Sequence, residues 1–130
     1  MRSPITGKEM KLVKEPSRLP FRKEEFSIVY HYYLCEETKE QFTDDELDNI
    51  NIIQVHNQYR EKYGIPFPEE IKAIREKYQI SASKMAEVLG FGPNTYRLYE
   101  AGEIPSVSNG RLILSINQPE EFIRQVEASN

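Results

Sequence analysis

The stretch Ser81–Gly102, SASKMAEVLGFGPNTYRLYEAG, decides what kind of fold this chain adopts. Its pattern predicts a short helix, a tight turn that contains glycine, and a second short helix that ends at Gly102. Two short helices joined in this way are typical of a helix-turn-helix, which places its second helix in the major groove of DNA. The stretch therefore predicts a DNA-binding domain.

The side chains of this stretch divide into an inward and an outward set. The inward positions of the two helices are Met85, Ala86, Leu89, Tyr96 and Tyr99. Gly90 and Gly92 allow the chain to reverse sharply. Pro93 suits the first position of the second helix, where its missing N–H costs nothing, and Gly102 suits the position just after the helix end.

The outward face of the second helix carries the candidate DNA contacts. The N-terminal residues of a recognition helix usually meet base edges. Asparagine can pair with adenine, and arginine with guanine or a phosphate, so Asn94 and Arg97 are the leading candidates. Asn94 also fits an ordinary helix start and Arg97 a solvated charge, while Leu98 could contact a thymine methyl group or a partner protein. The full candidate set is Pro93, Asn94, Thr95, Arg97, Leu98 and Lys84.

Residues 1–42 predict a small β structure with two or three antiparallel strands. The stretch Phe26–Cys35, FSIVYHYYLC, is rich in β-branched and aromatic residues and predicts a strand. Its alternation places one set of side chains on a single face, namely Phe26, Ile28, Tyr30, Tyr32 and Leu34. Lys11–Val13 predicts a short further strand, and Pro16–Pro20 predicts a loop.

A long helix is predicted from Thr43 to about Tyr63. Thr43 suits the N-cap, with Glu46 as its capping-box partner. The apolar positions of this helix are Leu47, Ile50, Ile53, Val55, Tyr59 and Tyr63. Gly64–Pro68, GIPFP, ends the helix and predicts a linker, so we expect domains at residues 1–66 and 67–130.

Five short helices are predicted after Pro66. The first begins at Pro68 and has a buried face formed by Ile71, Ile74 and Tyr78. The others lie near residues 82–89, 93–101, 107–116 and 119–126. The chain is therefore expected to be an α+β protein, with a small antiparallel β domain and a long helix followed by a five-helix domain that contains the helix-turn-helix.

The charge of the chain is unusual for a DNA-binding protein. Its net charge is −4, and residues 1–66 and 67–130 each carry −2. Because strong DNA binding requires several Lys or Arg side chains at phosphates, we expect specific binding only from a homodimer or with a further domain. Residues 36–48 carry a net charge of −6, which is typical either of a solvated segment or of a docking surface for a basic partner.

The composition argues against several other classes of protein. Cys35 is the single cysteine, which excludes an internal disulfide and fits a reducing cytoplasm. No apolar run has the length of a membrane span. The sequence lacks a nucleophile paired with a base, a metal cluster and a phosphate-binding glycine loop, so we expect neither enzyme activity nor a cofactor.

Three motifs together resemble the MqsA/YgiT-type antitoxins, which join an N-terminal zinc-binding domain to an XRE-type helix-turn-helix. MRSPITGKEM, residues 1–10, is similar to the family's opening Cys-Pro-x-Cys segment, and YYLCEE, residues 32–37, to its second Cys-x-x-Cys. LGFGPNTYRLYEAG, residues 89–102, is similar to its recognition region. The resemblance implies an antitoxin that represses its own operon and binds a toxin through its N-terminal domain.

The resemblance extends over nearly the whole chain. It is closest to a subgroup in which this unit precedes a further C-terminal domain of the SocA/Panacea type. The chain is accordingly expected to be either a complete short antitoxin or the N-terminal part of a longer protein.

The zinc ligands of the family are largely replaced in this chain. By the resemblance, the two ligand pairs fall on Ser3 with Thr6 and on Tyr32 with Cys35, so that Cys35 alone supplies a thiolate. His31 and His56 lack the spacing that would complete a ligand set. Structural zinc needs four ligands, mostly Cys or His, and we therefore expect no zinc.

The recognition helix departs from the family at one position. The DNA-reading asparagine of the family matches Asn94, but its arginine falls on Leu98, one residue after Arg97. An alternative interpretation is therefore a protein-interaction adaptor that keeps the helix-turn-helix fold without binding DNA. The last two helices could supply a dimer contact or form only core, through Leu112, Ile113, Ile116, Phe122, Ile123 and Val126.

Overall fold

The computed structural model describes all residues from Met1 to Asn130 and shows an α+β protein. One antiparallel sheet contains three strands in the order β1 (Lys11–Phe21), β2 (Glu24–Leu34) and β3 (Gln41–Phe42). The helices are α1 (Asp45–Tyr63), α2 (Pro68–Lys77), α3 (Ala82–Leu89), α4 (Thr95–Glu100), α5 (Val107–Ser115) and α6 (Pro119–Ser129). None of these helices has both the length and the apolar character needed to cross a bilayer.

The chain divides into two compact units, Met1–Gln58 and Tyr59–Asn130. The boundary predicted after Pro66 lies further along the chain, beyond the end of α1. The segment predicted to be a linker is packed into the second unit, because Ile65 and Pro66 are buried and lie against Gly110. A side chain at position 110 would press on both residues, which explains the glycine in this helix.

In the first unit, β1 and β2 form a long hairpin. All eleven residues of β1 pair with β2, and Arg22 and Lys23 form the turn with φ values of 48° and 68°. Two-residue hairpin turns require such positive φ values because they match the twist of the strands. The prediction of a loop over Pro16–Pro20 was wrong, since this segment continues β1 to Phe21.

Pro16 and Pro20 are tolerated in β1 because β1 is the outer strand of the sheet. The N–H groups of Val29 and His31 point away from β1 and bond to α1. Residues paired in this way do not bond to each other, so Pro16, the partner of Val29, and Lys14, the partner of His31, also direct their backbone groups away from β2. Pro20 lies four residues after Pro16, so its backbone groups also point away from β2. Each proline thus occupies a position where the sheet needs no N–H, which is the place that edge strands allow.

Helix α1 covers the other edge of β2 with side-chain amides. Gln54 accepts a hydrogen bond from the N–H of Val29 at 2.9 Å and donates one to its carbonyl at 2.9 Å. Asn51 pairs in the same way with His31, at 2.7 and 3.0 Å. These amides take the place of a neighbouring strand and satisfy backbone groups that would otherwise be exposed.

Two details of α1 differ from expectation. Asp44, rather than Thr43, caps the helix, because its Oδ1 accepts a hydrogen bond from the N–H of Leu47 at 2.9 Å. Ile53 is 42% exposed and was wrongly placed on the apolar face. The face of α1 that meets the sheet contains polar amides, so the positions of the apolar residues alone did not indicate which side of the helix is buried.

The second unit contains the five helices that were predicted after Pro66. Its core is formed by Ile71, Ile74, Met85, Ala86, Val88, Leu89, Tyr96, Tyr99, Ile113 and Ile116. Leu112, Phe122 and Val126 pack partly buried against this core, whereas Ile123 is 54% exposed. The last two helices therefore belong largely to the core of their own unit.

Candidate nucleic-acid interface

Helix α3 begins and ends as the sequence predicts. The side chain of Ser81 caps it by accepting a hydrogen bond from the N–H of Lys84 at 3.0 Å. Gly90 ends it in the left-handed conformation at φ 76°, and the N–H of Phe91 then donates to the carbonyl of Ala86 at 2.8 Å. A side chain at position 90 would be strained, so glycine is needed for the reversal.

Helix α4 begins later than predicted. The N–H of Thr95 donates to the carbonyl of Gly92 at 3.0 Å, closing a turn with Pro93 and Asn94 at its centre. Asn94 has φ −103° and ψ −3°, close to the geometry of the third residue of a type I turn. Pro93 was therefore wrongly placed at the first helical position. Its fixed φ serves the turn that precedes the helix.

The two tyrosines of α4 anchor the helix, as expected. Tyr96 is fully buried and donates its hydroxyl to the carbonyl of Ile71 on α2 at 2.5 Å. Tyr99 is buried, and its hydroxyl accepts a hydrogen bond from Asn109 on α5 at 3.0 Å. Burial raises the pKa of Tyr96 well above its ordinary value. Its phenol is therefore held in the neutral, donating form.

The end of α4 is held by Gly102. This residue has φ 118°, and its N–H donates to the carbonyl of Tyr99 at 3.2 Å. The N–H of Glu103 reaches back to the carbonyl of Leu98 at 3.0 Å. These two bonds form a Schellman motif, which confirms the predicted role of Gly102.

An ion pair that was not predicted connects α2 to the end of α4. Arg75 donates two hydrogen bonds to the carboxylate of Glu100, at 2.7 and 2.8 Å, and a third to the carbonyl of Ile80 at 3.1 Å. The hydrogen bond to Glu100 raises the pKa of Arg75. Arg75 follows Ile71 by one helical turn, which is the only indication in the sequence that it faces inward.

The structure places four of the candidate DNA contacts together on an open surface. Pro93, Asn94, Arg97 and Leu98 are all exposed, and Leu98 is 40% exposed. The Asn94 amide makes no capping hydrogen bond. The Arg97 guanidinium likewise makes no hydrogen bond or ion pair with the protein. The polar ends of Asn94 and Arg97 are therefore available to a ligand.

The other two candidates are less available. Thr95 is half-buried, and its Oγ1 faces Gly92 so closely that a side chain at position 92 would lie 3.2 Å from it. Lys84 is exposed on α3 and lies 3.5 Å from the carboxylate of Glu87. Glu87 also borders a shallow cleft with Ser83, Phe91 and Pro93. Its charge opposes an anionic ligand at this edge of the surface.

A second cluster lies in the first unit, where two loops have the same backbone pattern. In residues 3–8, the N–H of Ser3 donates to the carbonyl of Lys8 at 2.8 Å, and the N–H of Gly7 donates to the carbonyl of Ser3 at 2.9 Å. In residues 35–40, the equivalent bonds of Cys35 measure 3.0 and 2.7 Å. Gly7 and Lys39, each four residues after the first, both have positive φ.

The two loops bring Ser3, Thr6 and Thr38 to the thiol of Cys35. Thr6 Oγ1 lies 3.9 Å from Cys35 Sγ. Hydrogen bonds from the Thr38 side chain, the Thr38 backbone and Ser3, in that order, lower the pKa of Cys35 to about 7. The cluster therefore has a Ser-x-x-Thr and a Cys-x-x-Thr arm, and the repeat of this pattern in SPIT and CEET was the sequence indication that was missed.

Tyr32 does not belong to this cluster. Its hydroxyl donates to Glu15 on β1 at 3.2 Å, so Thr38 holds the position that was expected for Tyr32. One thiol and three hydroxyls do not suit zinc, which takes Cys, His or carboxylate ligands. No group of three or more His, Cys, Asp or Glu side chains lies close enough to share a metal ion.

Comparison with known proteins adds no assignment. No family model matches the chain, and no curated protein matches it.

Proposed function

We propose that this protein is a DNA-binding transcriptional regulator that reads its operator with α4. One observation carries the proposal. The Asn94 amide and the Arg97 guanidinium project from an anchored helix and have no partner within the protein. An amide that can pair with adenine and a guanidinium that can pair with guanine or phosphate form the chemistry of direct base readout.

The support beneath α4 favours this function over a solvated surface helix. Tyr96 and Tyr99 fix its buried side, and Arg75 fixes Glu100 at its end. A binding surface gains affinity when its side chains are held in place before the ligand arrives. A six-residue helix with three such attachments is more restrained than its length requires.

We propose further that the regulator is the antitoxin of a toxin–antitoxin pair and represses its own operon as a homodimer. The resemblance to MqsA/YgiT-type antitoxins, with an XRE-type domain over α2–α6, supports this assignment. The paired loops at residues 3–8 and 35–40 support it too. Their Ser-x-x-Thr and Cys-x-x-Thr segments converge as the two Cys-x-x-Cys segments of a zinc site do. The first unit would then bind the toxin, and the acidic residues 36–48 would face a basic surface on it.

Fluorescence anisotropy can test DNA reading. The protein is titrated onto the duplex that lies upstream of its own reading frame and onto a scrambled duplex. We expect tighter binding to the upstream duplex, and a loss of about 1–3 kcal/mol of discrimination in Asn94→Ala and in Arg97→Ala. Asn49→Ala and Arg124→Ala, at exposed positions on α1 and α6, serve as matched controls. Equal binding of both duplexes by the wild-type protein would refute the proposal.

A second candidate function is a protein-interaction adaptor. Leu98 is 40% exposed on the reading face, and the net charge of −4 opposes DNA binding. Such an adaptor would bind both duplexes alike and would retain a partner protein through Leu98. Replacement of Leu98 by Asp would then release the partner, whereas Arg97→Ala would leave the complex intact.

A further inference from the structure

The positive charge of this acidic protein is concentrated at its beginning. Residues 1–23 contain seven Lys or Arg and two Glu, a net charge of +5, whereas residues 24–130 contain ten and nineteen acids, a net charge of −9. Five of the cations lie on β1 and the hairpin turn. We call them the basic edge, which consists of Lys11, Lys14, Arg18, Arg22 and Lys23.

The basic edge follows an outer strand along its full length. The strand β1 is at the edge of the sheet, and an eleven-residue strand extends about 36 Å at about 3.3 Å per residue. One turn of B-DNA has about the same length, roughly 34–36 Å. Pro16 and Pro20 lack the N–H groups that a further strand would need, so the edge is unsuited to strand addition.

Most of these cations are not neutralised within the protein. No carboxylate lies within salt-bridge distance of Lys11, Lys14 or Lys23. Arg18 lies 3.2 Å from Glu25, but both side chains are 64% exposed, and such exposed pairs are weak. Glu15 is the one carboxylate within β1, and it accepts a hydrogen bond from Tyr32.

The hairpin turn gives a second, independent indication. Arg22 and Lys23 both have positive φ, a conformation that glycine and asparagine adopt at much lower cost. Two exposed cationic side chains at these positions weaken the turn, although the Arg22 guanidinium lies over the Phe21 ring, 5.1 Å from its centre. Compared with glycine or asparagine, Arg22 and Lys23 add positive charge to the turn.

We propose that the basic edge binds the phosphate groups of duplex DNA and supplies the positive charge that the surface around Asn94 and Arg97 lacks. This inference rests on the proposed function. Within α3 and α4 the cationic residues are Lys84 and Arg97, and Lys84 is paired with Glu87. Arg75, which reaches the end of α4 from α2, is paired with Glu100. The extended spacing of the cations fits a regular polyanion better than it fits a compact acidic site on a protein, because phosphates also repeat along a line.

The test compares two triple variants with equal loss of charge. Lys11→Gln/Lys14→Gln/Lys23→Gln removes three cations from the basic edge, and Lys39→Gln/Lys72→Gln/Arg124→Gln removes three from other exposed positions. Binding of a scrambled duplex is measured by anisotropy over a range of salt concentrations. We expect the basic-edge variant to bind on the order of tenfold more weakly at low salt and to reduce the slope of log K against log salt by about two to three. We expect little change in slope for the control.

Equal slopes in both variants would overturn the proposal, because net charge alone would then explain the effect. A wild-type preference for polyglutamate over duplex DNA would also overturn it and assign the edge to an acidic protein. Circular dichroism of each variant verifies that the hairpin is folded.

The same titrations separate this proposal from the proposed function. If the wild-type protein prefers the upstream duplex while the basic-edge variant keeps its slope, the basic edge is refuted and DNA reading stands. If the basic edge controls the slope while the upstream and scrambled duplexes bind alike, the basic edge is supported and sequence reading is refuted. A wild-type protein that binds no duplex refutes both.

Discussion

Leu98 is the exposed residue of α4 that differs most from the pattern that the resemblance implies. It lies beside Arg97 on α4 and is 40% exposed, so an apolar side chain occupies a position where the family has arginine. We expect Leu98→Arg to bind duplex DNA about tenfold more tightly, because it adds a guanidinium at the groove without disturbing the core. Anisotropy measures this, with Leu114→Arg as a control at a residue that is 38% exposed on α5. Equal gains in both variants would show that added charge, not position, causes the effect.

We expect Cys35 to make the stability of the first unit depend on pH. Hydrogen bonds from Thr38 and Ser3 lower its pKa from 9.0 to about 7. A group whose pKa is lower in the folded state stabilises that state once it ionises, so stability should increase between about pH 7 and pH 9 and fall away below. We expect Cys35→Ser to lose this increase, and chemical denaturation at a series of pH values measures it. A rise of the same size in Cys35→Ser would assign the pH dependence to another group.

Sequence reasoning located the exposed face of α4 but not the bonds that support it. Asn94, Arg97, Tyr96 and Tyr99 follow from helical periodicity, which is a local property. The pairing of Arg75 with Glu100 joins residues on different helices and has no local pattern. Thr38 was missed for a different reason, because the resemblance placed the second pair on Tyr32 and Cys35, although Cys35 and Thr38 repeat the local spacing of Ser3 and Thr6.

At the scale of elements, the ion pair between Arg75 and Glu100 tests how firmly α4 is attached to α2. Arg75 and Glu100 are 20% and 12% exposed, so breaking the pair leaves a poorly solvated charge. We expect Arg75→Met to lower the free energy of unfolding by about 2–4 kcal/mol. The double variant Arg75→Met/Glu100→Met should be less destabilised than Arg75→Met, because no carboxylate then remains without its partner. A double variant that is at least as destabilised as Arg75→Met in thermal unfolding would contradict this account of the pair.

The paired loops make a sharper prediction about geometry. Because Ser3, Thr6 and Thr38 surround Cys35 on two matching loops, replacing all three with Cys should create a tetrahedral metal site. We expect Ser3→Cys/Thr6→Cys/Thr38→Cys to bind one Co²⁺ with thiolate charge-transfer absorption. The variant Ser3→Cys/Thr6→Cys/Tyr32→Cys, built on the register expected from sequence, should not. Equal spectra from the two variants would mean that the loops do not converge as described.

Elements differ in how far the sequence determines them. The helices after Pro66 have clear start and stop residues, such as Ser81 and Gly90, and were found near their observed bounds. The strand β1 was missed over Pro16–Pro20 because proline is normally a strand breaker, and only the outer position in the sheet permits it. The sheet-facing side of α1 was not recognised from the sequence because Asn51 and Gln54, which bond to β2, are polar.

At the scale of the whole molecule, the positive charge is concentrated in residues 1–23, while the rest of the chain has a net negative charge. The basic edge belongs to the first unit, and Asn94 and Arg97, the residues proposed to read DNA, belong to the second. The net charge of −4 hides this division, since dividing the chain after Pro66 assigns −2 to each part. A regulator of this kind would bind DNA weakly at high salt and depend on base contacts for its specificity.

The most direct test of the central claim is a base-analogue scan with the Asn94→Ala variant. Each adenine of the operator duplex is replaced in turn by 7-deaza-adenine, which removes the N7 acceptor that an asparagine amide needs. We predict one position at which the wild-type protein loses about tenfold in affinity and Asn94→Ala loses nothing further. If every substitution weakens both proteins equally, Asn94 does not read an adenine, and the central claim is contradicted.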